Sequence, residues 1–369
     1  MSLPAAKLPR WIDYGLIPLL NLTAAFGLAG LVVLLIGESP IEAVEILLWG
    51  AFGFGEGIGF TLFYATSFIF TGLSVAVAFH AGLFNIGGEG QAYVGGLGVA
   101  LACLALDRYL PWWLIAPLAV AGGALFGAAW AAIPGYLQAA RGSHVVITTI
   151  MFNFIASSLM VYLLAQVFRP EGSMQTESRT FEEAGRLPRL DWLLEPLGVD
   201  VGGAPLNLSL FLALAACLFV WALIWRTRLG YEIRAFGHNR DAAVYAGIRP
   251  MKVTMAAMLL AGGLAGLMAL NPVMGDQARL QLDFPAGAGF VGIAVALMGR
   301  AHPLGIILAA LLFGALYQGG AELAFEKPGI TRDLIVAIQG LVIFFTGALE
   351  HLFRPGVARL YARLLPQAA

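Results

Sequence analysis

The chain has 369 residues, 60% of them hydrophobic and 12% charged, and a net charge of −1. Its mean hydropathy is +0.83, and a soluble fold of this size cannot hide so much apolar surface. Near-neutral charge gives no basis for nucleic-acid binding, so the information lies in where the charges sit.

Apolar runs of about 20 residues recur without alternating polarity, which predicts an all-α polytopic membrane protein whose spans satisfy their own backbone hydrogen bonds. Residues 1–15 carry Lys7 and Arg10, and no small-residue cleavage site follows the first run, about 16–36, so that run reads as a retained span. Segment 37–59 holds Glu38, Glu42, Glu45 and Glu56 beside a helical stripe of Ile41, Val44, Leu47 and Leu48, the pattern of a helix lying along the membrane surface. A second run, about 60–79, leads into the Gly-rich polar stretch 80–91 and a third run ending near 106. Trp112 and Trp113 mark an interface before a fourth span, about 113–133. A connector with Arg141 and a fifth span, about 145–168, follow. Residues 169–207 form the one long polar loop. It carries Glu171, Glu177, Glu182, Glu183, Asp191, Glu195 and Asp200 against Arg169, Arg179, Arg186 and Arg189. A sixth span, about 208–225, precedes a basic stretch, 226–252, and a seventh span, about 253–270. After a polar connector, 271–285, come a short apolar run, 286–298, a ninth run, 304–320, and a tenth, 333–351.

Counting about ten spans from a cytoplasmic N-terminus puts Arg141, the basic stretch, Arg300, Arg354, Arg359, Arg363 and the C-terminus in the cytoplasm. The acidic segments 37–59 and 169–207 then lie outside. This satisfies the positive-inside rule at nearly every loop, and the reverse topology violates it at nearly every loop. The count narrows to eight if 60–106 and 286–298 contain short or re-entrant helices.

The basic stretch contains Arg226, Arg228, Arg234, Arg240, Arg249 and Lys252 against only Glu232 and Asp241. Its middle, Asn239, Arg240, Asp241, Ala242, Ala243, Val244, Tyr245, Ala246 and Gly247, reads as a short capped helix. Asn239 suits the N-cap, Asp241 the positive end, and Gly247 the left-handed position after the last turn. Such a helix is about 10 Å long and cannot span a membrane. It is expected to face the cytoplasm and touch something there.

The stretch Asn85-Ile-Gly-Gly-Glu-Gly-Gln91 places a carboxylate among glycines between two apolar runs. This suggests a broken helix lining a solute pathway, with Asn85, Glu89 and Gln91 as candidate pathway residues. The alternative is a cytoplasmic turn with a solvated Glu89. In the fifth span, Thr149 and Asn153 share a face. Thr148 and Thr149 are expected to bond back to helix carbonyls, whereas the Asn153 amide suits a polar ligand. Phe152 and Phe154 could stack on a ring or simply pack. Ala288, Gly292 and Ala296 form a small-residue ladder for close helix approach. His80, His144, His238, His302 and His351 have no spaced partners, and Cys103 and Cys217 lie inside apolar runs, so no metal site is expected. There is no phosphate-binding loop, no row of intramembrane acids and no charged filter motif. Energy for uphill transport would therefore come from another polypeptide.

Four stretches then occur in order: Phe84-Asn-Ile-Gly-Gly-Glu-Gly-Gln91, His144-Val-Val-Ile-Thr-Thr-Ile-Met-Phe-Asn153, Gly237-His-Asn-Arg-Asp-Ala-Ala-Val-Tyr-Ala-Gly-Ile248 and Gly292-Ile-Ala-Val-Ala-Leu-Met-Gly-Arg300. Together they resemble the permeases of bacterial ABC importers in the ribose, branched-chain amino acid and nucleoside group. The Glu89-Gly-Gln91 ending, the Ile-Thr-Thr-Ile-Met run with Asn153, and Gly172-Ser-Met-Gln-Thr176 look closest to the nucleoside branch. His238 departs from the apolar residue common at that place. The resemblance implies one transmembrane permease domain over 1–369, with an extracytoplasmic loop at 169–207 and a cytoplasmic coupling loop at 226–252. It implies a non-enzymatic, multi-pass subunit of the bacterial inner membrane that binds no cofactor itself. ATP and Mg would sit on separate ATPase subunits. A second permease, identical or homologous, and an extracytoplasmic substrate-binding (lipo)protein complete the expected assembly. Nucleosides are the implied cargo. A monosaccharide or branched-chain amino acid carried by the same machine is one alternative. An ion-coupled secondary transporter, or a scaffold that moves nothing, is another.

Overall fold

The computed structural model describes residues 16–341, apart from 195, 197, 199, 328, 332 and 333, and beyond them only 9, 12, 355–358 and 361. Among the described residues the structure is helical, with two isolated bridges, Glu177 to Gln281 and Arg189 to Asn207, and no strands. In chain order the helices are α1 (Ile17–Leu35), α2 (Pro40–Phe52), α3 (Gly55–His80), α4 (Gly88–Leu106), α5 (Trp112–Arg141), α6 (Val145–Leu163), α7 (Asp191–Leu194), α8 (Ser209–Arg226), α9 (Arg228–His238), α10 (Arg240–Tyr245), α11 (Pro250–Leu267), α12 (Ala288–Met298) and α13 (Pro303–Glu326). Two π-helical turns, Leu164–Phe168 and Leu270–Asp276, extend α6 and α11.

Among the described residues, seven helices are long and apolar enough to cross a membrane, or eight if the bent pair α1–α2 counts as one span. The expected first span is α1, which turns through 116° into α2 over the segment assigned to a surface helix. The short eighth run is only the 11 residues of α12. Such a helix is about 17 Å long, half a membrane. The tenth run is helical at 334–341, and the rest of it, with His351, lies outside the described residues, as do Arg354, Arg359, Arg363, Lys7 and Arg10.

The chain divides into two compact units, residues 51–317 and residues 1–50 with 318–369. The smaller unit has its own core of Val33, Ala43, Ile46, Leu323, Ile330 and Ile335. Lys327 pairs there with Glu42 at 2.8 Å and Glu38 at 3.4 Å. The larger unit is built around α3, whose residues 65–78 are all buried. Glycines set its closest approaches. Gly98 of α4 abuts Gly122 of α5, and Gly127 of α5 abuts Gly262 of α11, with no room for a side chain at any of them. Backbones brought this close gain packing that lipid cannot supply.

Several buried polar side chains inside this unit are paired, while the Ser74 hydroxyl of α3 has no partner. Asn271, in the π-turn after α11, donates to Phe63 O and Ser67 Oγ of α3, each at 2.8 Å. Its Oδ1 accepts from Asn207 at 2.9 Å and Ser209 at 3.0 Å. One amide thus ties α3, α8 and α11 together without leaving a buried group unsatisfied.

The small-residue ladder on α12 packs as expected, with Gly292 on Thr71 of α3 and Gly289 on the backbone of Glu89. The described non-glycine residues with positive φ are Ala278, Asp283 and Ala286 before α12 and Arg300 and Ala301 after it. Left-handed backbone at non-glycine residues is costly and persists only where the surroundings impose it.

Candidate functional site

The expected break in the chain at residues 80–91 is present. Helix α3 ends at His80, residues 83–86 have no regular structure, and α4 starts at Gly88. The depth of this restart follows from α12. At one end of α12, Ala301 O accepts from His80 Nε2 at 3.0 Å, and further back Gly292 lies on Thr71. Gly289, one turn earlier, is therefore level with about Phe68, halfway along the 26 residues of α3. Gly289 abuts Glu89, so the carboxylate sits near the midpoint of α3 and not in a turn at the membrane surface.

Glu89 joins two helix starts. Its Oε1 accepts from Gly287 N at 2.8 Å and its Oε2 from Gly289 N at 2.7 Å. Gly287, at φ 81°, adopts a backbone that disfavours other residues and turns its N–H toward the acid. Helices α4 and α12 meet with their N-termini together, so both positive ends converge on one carboxylate. One turn along α4, Tyr93 OH accepts from Asp283 N and lies 3.4 Å from Asp283 Oδ1. Its ring packs edge-on against Phe284 at 5.4 Å.

Asn85, Gln91 and Asn153 do different work from Glu89. Asn85 and Gln91 are 0% and 1% exposed and bond to each other twice, at 2.9 and 3.1 Å. Asn85 Oδ1 also accepts from Gly87 N at 2.9 Å. Asn153 reaches across from α6, donating to Ile86 O and accepting from Gly90 N, both at 2.9 Å. Thr149 bonds back to Val145 O at 2.8 Å, as expected, and its hydroxyl also accepts from Ile86 N at 3.3 Å. A non-helical segment inside a helical bundle has backbone groups with no helical partner, and these side chains supply the partners. Phe152 packs against Trp130 with ring centroids 5.4 Å apart, and its carbonyl accepts from the indole N–H at 3.2 Å. Phe154 is exposed on the helix exterior.

The basic stretch 226–252 holds two helices, not one. Helix α10 has the expected caps: Asn239 Oδ1 accepts from Ala242 N at 3.0 Å, and Gly247 is left-handed at φ 84°. Helix α9 precedes it, capped by Thr227, whose hydroxyl accepts from Gly230 N at 3.0 Å. Its apolar side, Ile233 and Phe236, is buried. Glu232 is held by Lys252 at 2.9 Å and Arg228 at 3.1 Å. The Lys252 bond, with Arg228, holds the Glu232 pKa below the usual carboxylate value. On α10 only Ala243 is buried; Asp241, Ala242, Val244, Tyr245, Ala246 and Gly247 are exposed, Tyr245 fully at 97%. Gly237 of α9 fits directly against His80 O and Gly82, so the helix pair touches the connector that leads to Asn85. A cavity of about 200 Å³ lies beside this contact, lined by Gly82, Gln138, Phe236, Arg240 and Thr254 among others.

At the opposite end, the polar loop 169–207 is firmly anchored. Arg179 grips Asp107 with two bonds, at 2.8 and 2.7 Å, and donates to Leu104 O at 2.8 Å. Burial alone would raise the Asp107 pKa, but the Arg179 bonds and a 2.9 Å bond from Glu182 N outweigh it and hold the carboxyl below its ordinary range. Phe181, Leu187 and Leu190 of the loop are buried. Among the described residues no group of three His, Cys, Asp or Glu side chains could hold a metal ion.

A sequence model of the branched-chain amino acid transport system / permease component family matches residues 57–347, the whole of this architecture from α3 onward. The chain belongs to this permease family. It is 33% identical to the glucose ABC transporter permease protein TsgB13 of Haloferax volcanii, over 96% of the chain and 93% of that protein. It is 34% identical to the nucleoside ABC transporter permease protein NupB of Lactococcus lactis, over 89% of the chain and 90% of the relative. The guanosine ABC transporter permease protein NupP of Bacillus subtilis is 33% identical over 91% and 94%. No solved structure matches. The permease is thus a multi-pass membrane protein, and its broken α3–α4 junction sets Glu89 against the start of α12.

Proposed function

We propose that this permease is the membrane subunit of an ATP-driven importer of nucleosides in the bacterial inner membrane. The observation that carries the reading is similarity along nearly the full chain to two permeases named for nucleoside and guanosine transport. A monosaccharide is the second reading, supported by equal identity to the glucose permease. Both solutes are neutral and carry several hydroxyl donors, which suits a partly exposed carboxylate acceptor.

In this reading the ends carrying α9, α10 and the 299–303 turn face the cytoplasm, and the Arg179-anchored loop faces outside, where a substrate-binding protein docks. ATP and Mg are handled by separate ATPase subunits. The helix pair α9–α10 is their contact, with Asn239 to Gly247 presented to a cleft on the ATPase and Tyr245 at its tip. A displacement of this pair acts through the Gly237–Gly82 contact on residues 81–87, the segment that sets Glu89 against α12. A second permease, identical or homologous, completes the pathway. Glu89 faces the solute in this scheme, while Asn85, Gln91 and Asn153 hold the broken segment in place.

Uptake in cells carrying the complete transport system tests the cargo. Loss of labelled adenosine and guanosine uptake on deleting this chain, with no competition by excess glucose or leucine, is the expected result. Intact nucleoside uptake with lost glucose uptake overturns the nucleoside reading in favour of the monosaccharide.

A further inference from the structure

Helix α3 is almost wholly buried, and Phe60, Leu62 and Tyr64 are its half-exposed residues between Gly59 and Ala78. Phe60 and Tyr64 are one turn apart, share a face, and stack with centroids 6.4 Å apart and planes 29° apart. Tyr317 of α13 continues the row, 5.7 Å from Tyr64 and 5.0 Å from Phe68. Phe68 marks the level of Glu89, and Tyr317 packs edge-on against Phe68. The row of rings therefore runs from the end of α3 near the anchored loop down to the acid at its midpoint.

This row of rings ends at a carboxylate. Glu89 is only partly buried and lies at its foot, and a carboxylate in a membrane interior faces water, protein or solute. Each Glu89 oxygen accepts one backbone N–H and keeps further acceptor capacity. The carboxylate is also fixed in orientation, as a recognition group must be. Aromatic faces above an oriented acceptor suit a solute with a flat ring at one end and hydroxyl donors at the other.

We propose that Phe60, Tyr64 and Tyr317 form a stacking surface for the heterocyclic base of the transported nucleoside, with Glu89 accepting from a sugar hydroxyl. The assignment rests on the nucleoside reading and adds the residues that select the base. Base–aromatic stacking is sequence-tolerant because every base has a π-face, so this surface favours nucleosides as a class and larger purines over pyrimidines.

The test is uptake kinetics of adenosine, uridine and free ribose in the assembled transporter, with Tyr64→Leu, Tyr317→Leu and Tyr64→Phe. Thermal unfolding of each variant checks folding. Each leucine variant is expected to raise KM for adenosine about tenfold, uridine less, with the maximal rate little changed, and Tyr64→Phe restores KM to within about twofold because it keeps the ring. Unchanged adenosine KM in both folded leucine variants overturns the stacking surface, as does a loss of maximal rate alone, equal for adenosine and uridine. Absence of nucleoside uptake by the unsubstituted transporter overturns the nucleoside reading and this assignment with it.

Discussion

Glu89 of α4 and Gly289 of α12 meet through a 2.7 Å bond from the glycine N–H to the carboxylate, where two helices approach start to start. A methyl group on Gly289 would fall on the Glu89 backbone. Gly289→Ala is therefore expected to cost about 1–3 kcal/mol by overpacking and to misplace the acid. Thermal unfolding in detergent and uptake measure the two effects. A variant as stable and active as the parent would show that the helix starts do not meet there.

Asn153 should matter for stability before it matters for any solute. Asn153→Ala orphans Ile86 O and Gly90 N, at about 1–3 kcal/mol for each buried group. Asn153→Asp keeps the acceptor for Gly90 and loses the donor for Ile86, so its unfolding midpoint is expected to fall between alanine and wild type. If both variants unfold like wild type but transport poorly, Asn153 touches solute instead.

How much of this was legible in the sequence depends on range. The α10 caps are local, with Asn239 and Gly247 flanking the turns they serve, and both were readable from spacing. The break near Asn85–Gln91 was readable too, because glycines beside an acid between apolar runs suit no continuous span. What the break needs was not readable. Ile86 is paired by Thr149 and Asn153, 63 and 67 residues away, and nothing in the local pattern around an intramembrane asparagine separates a backbone partner from a solute ligand. The short eighth run was only half readable for a related reason. Hydropathy reports apolar length, so it marks the half-membrane α12 as a run but not as a helix that starts at the level of Phe68. Helix α9 was hidden by its charge, since Leu229, Ile233 and Phe236 alone carry its apolar face.

The Asp107–Arg179 pair gives the outer loop a pH limit. The folded pKa of Asp107 lies below its unfolded value, so the stabilisation is complete above roughly pH 4 and disappears as pH falls through the folded pKa. Arg179→Met leaves a buried acid without its partner and is expected to cost about 3 kcal/mol at neutral pH. It should also flatten the loss of stability below about pH 4. Unfolding midpoints of the two proteins across this range check both statements, and parallel curves would rule out the pair as the acid-sensitive group.

Tyr245 is 97% exposed. Tyr245→Asp is expected to leave the unfolding midpoint within experimental error while the ATPase no longer co-purifies, or no longer hydrolyses ATP in step with transport. Gly237→Val should likewise uncouple, through the Gly82 contact, without altering the α10 surface. Co-purification and stimulated hydrolysis at wild-type levels in Tyr245→Asp would remove α10 from the ATPase interface.

The most direct measurement is nucleoside uptake into liposomes holding this permease, its partner permease and binding protein, with and without the ATPase subunits. Uptake that requires the ATPase and internal ATP, and is indifferent to an imposed proton or sodium gradient, is the expected result. Accumulation by the permease alone under an ion gradient, with no ATPase present, would contradict it.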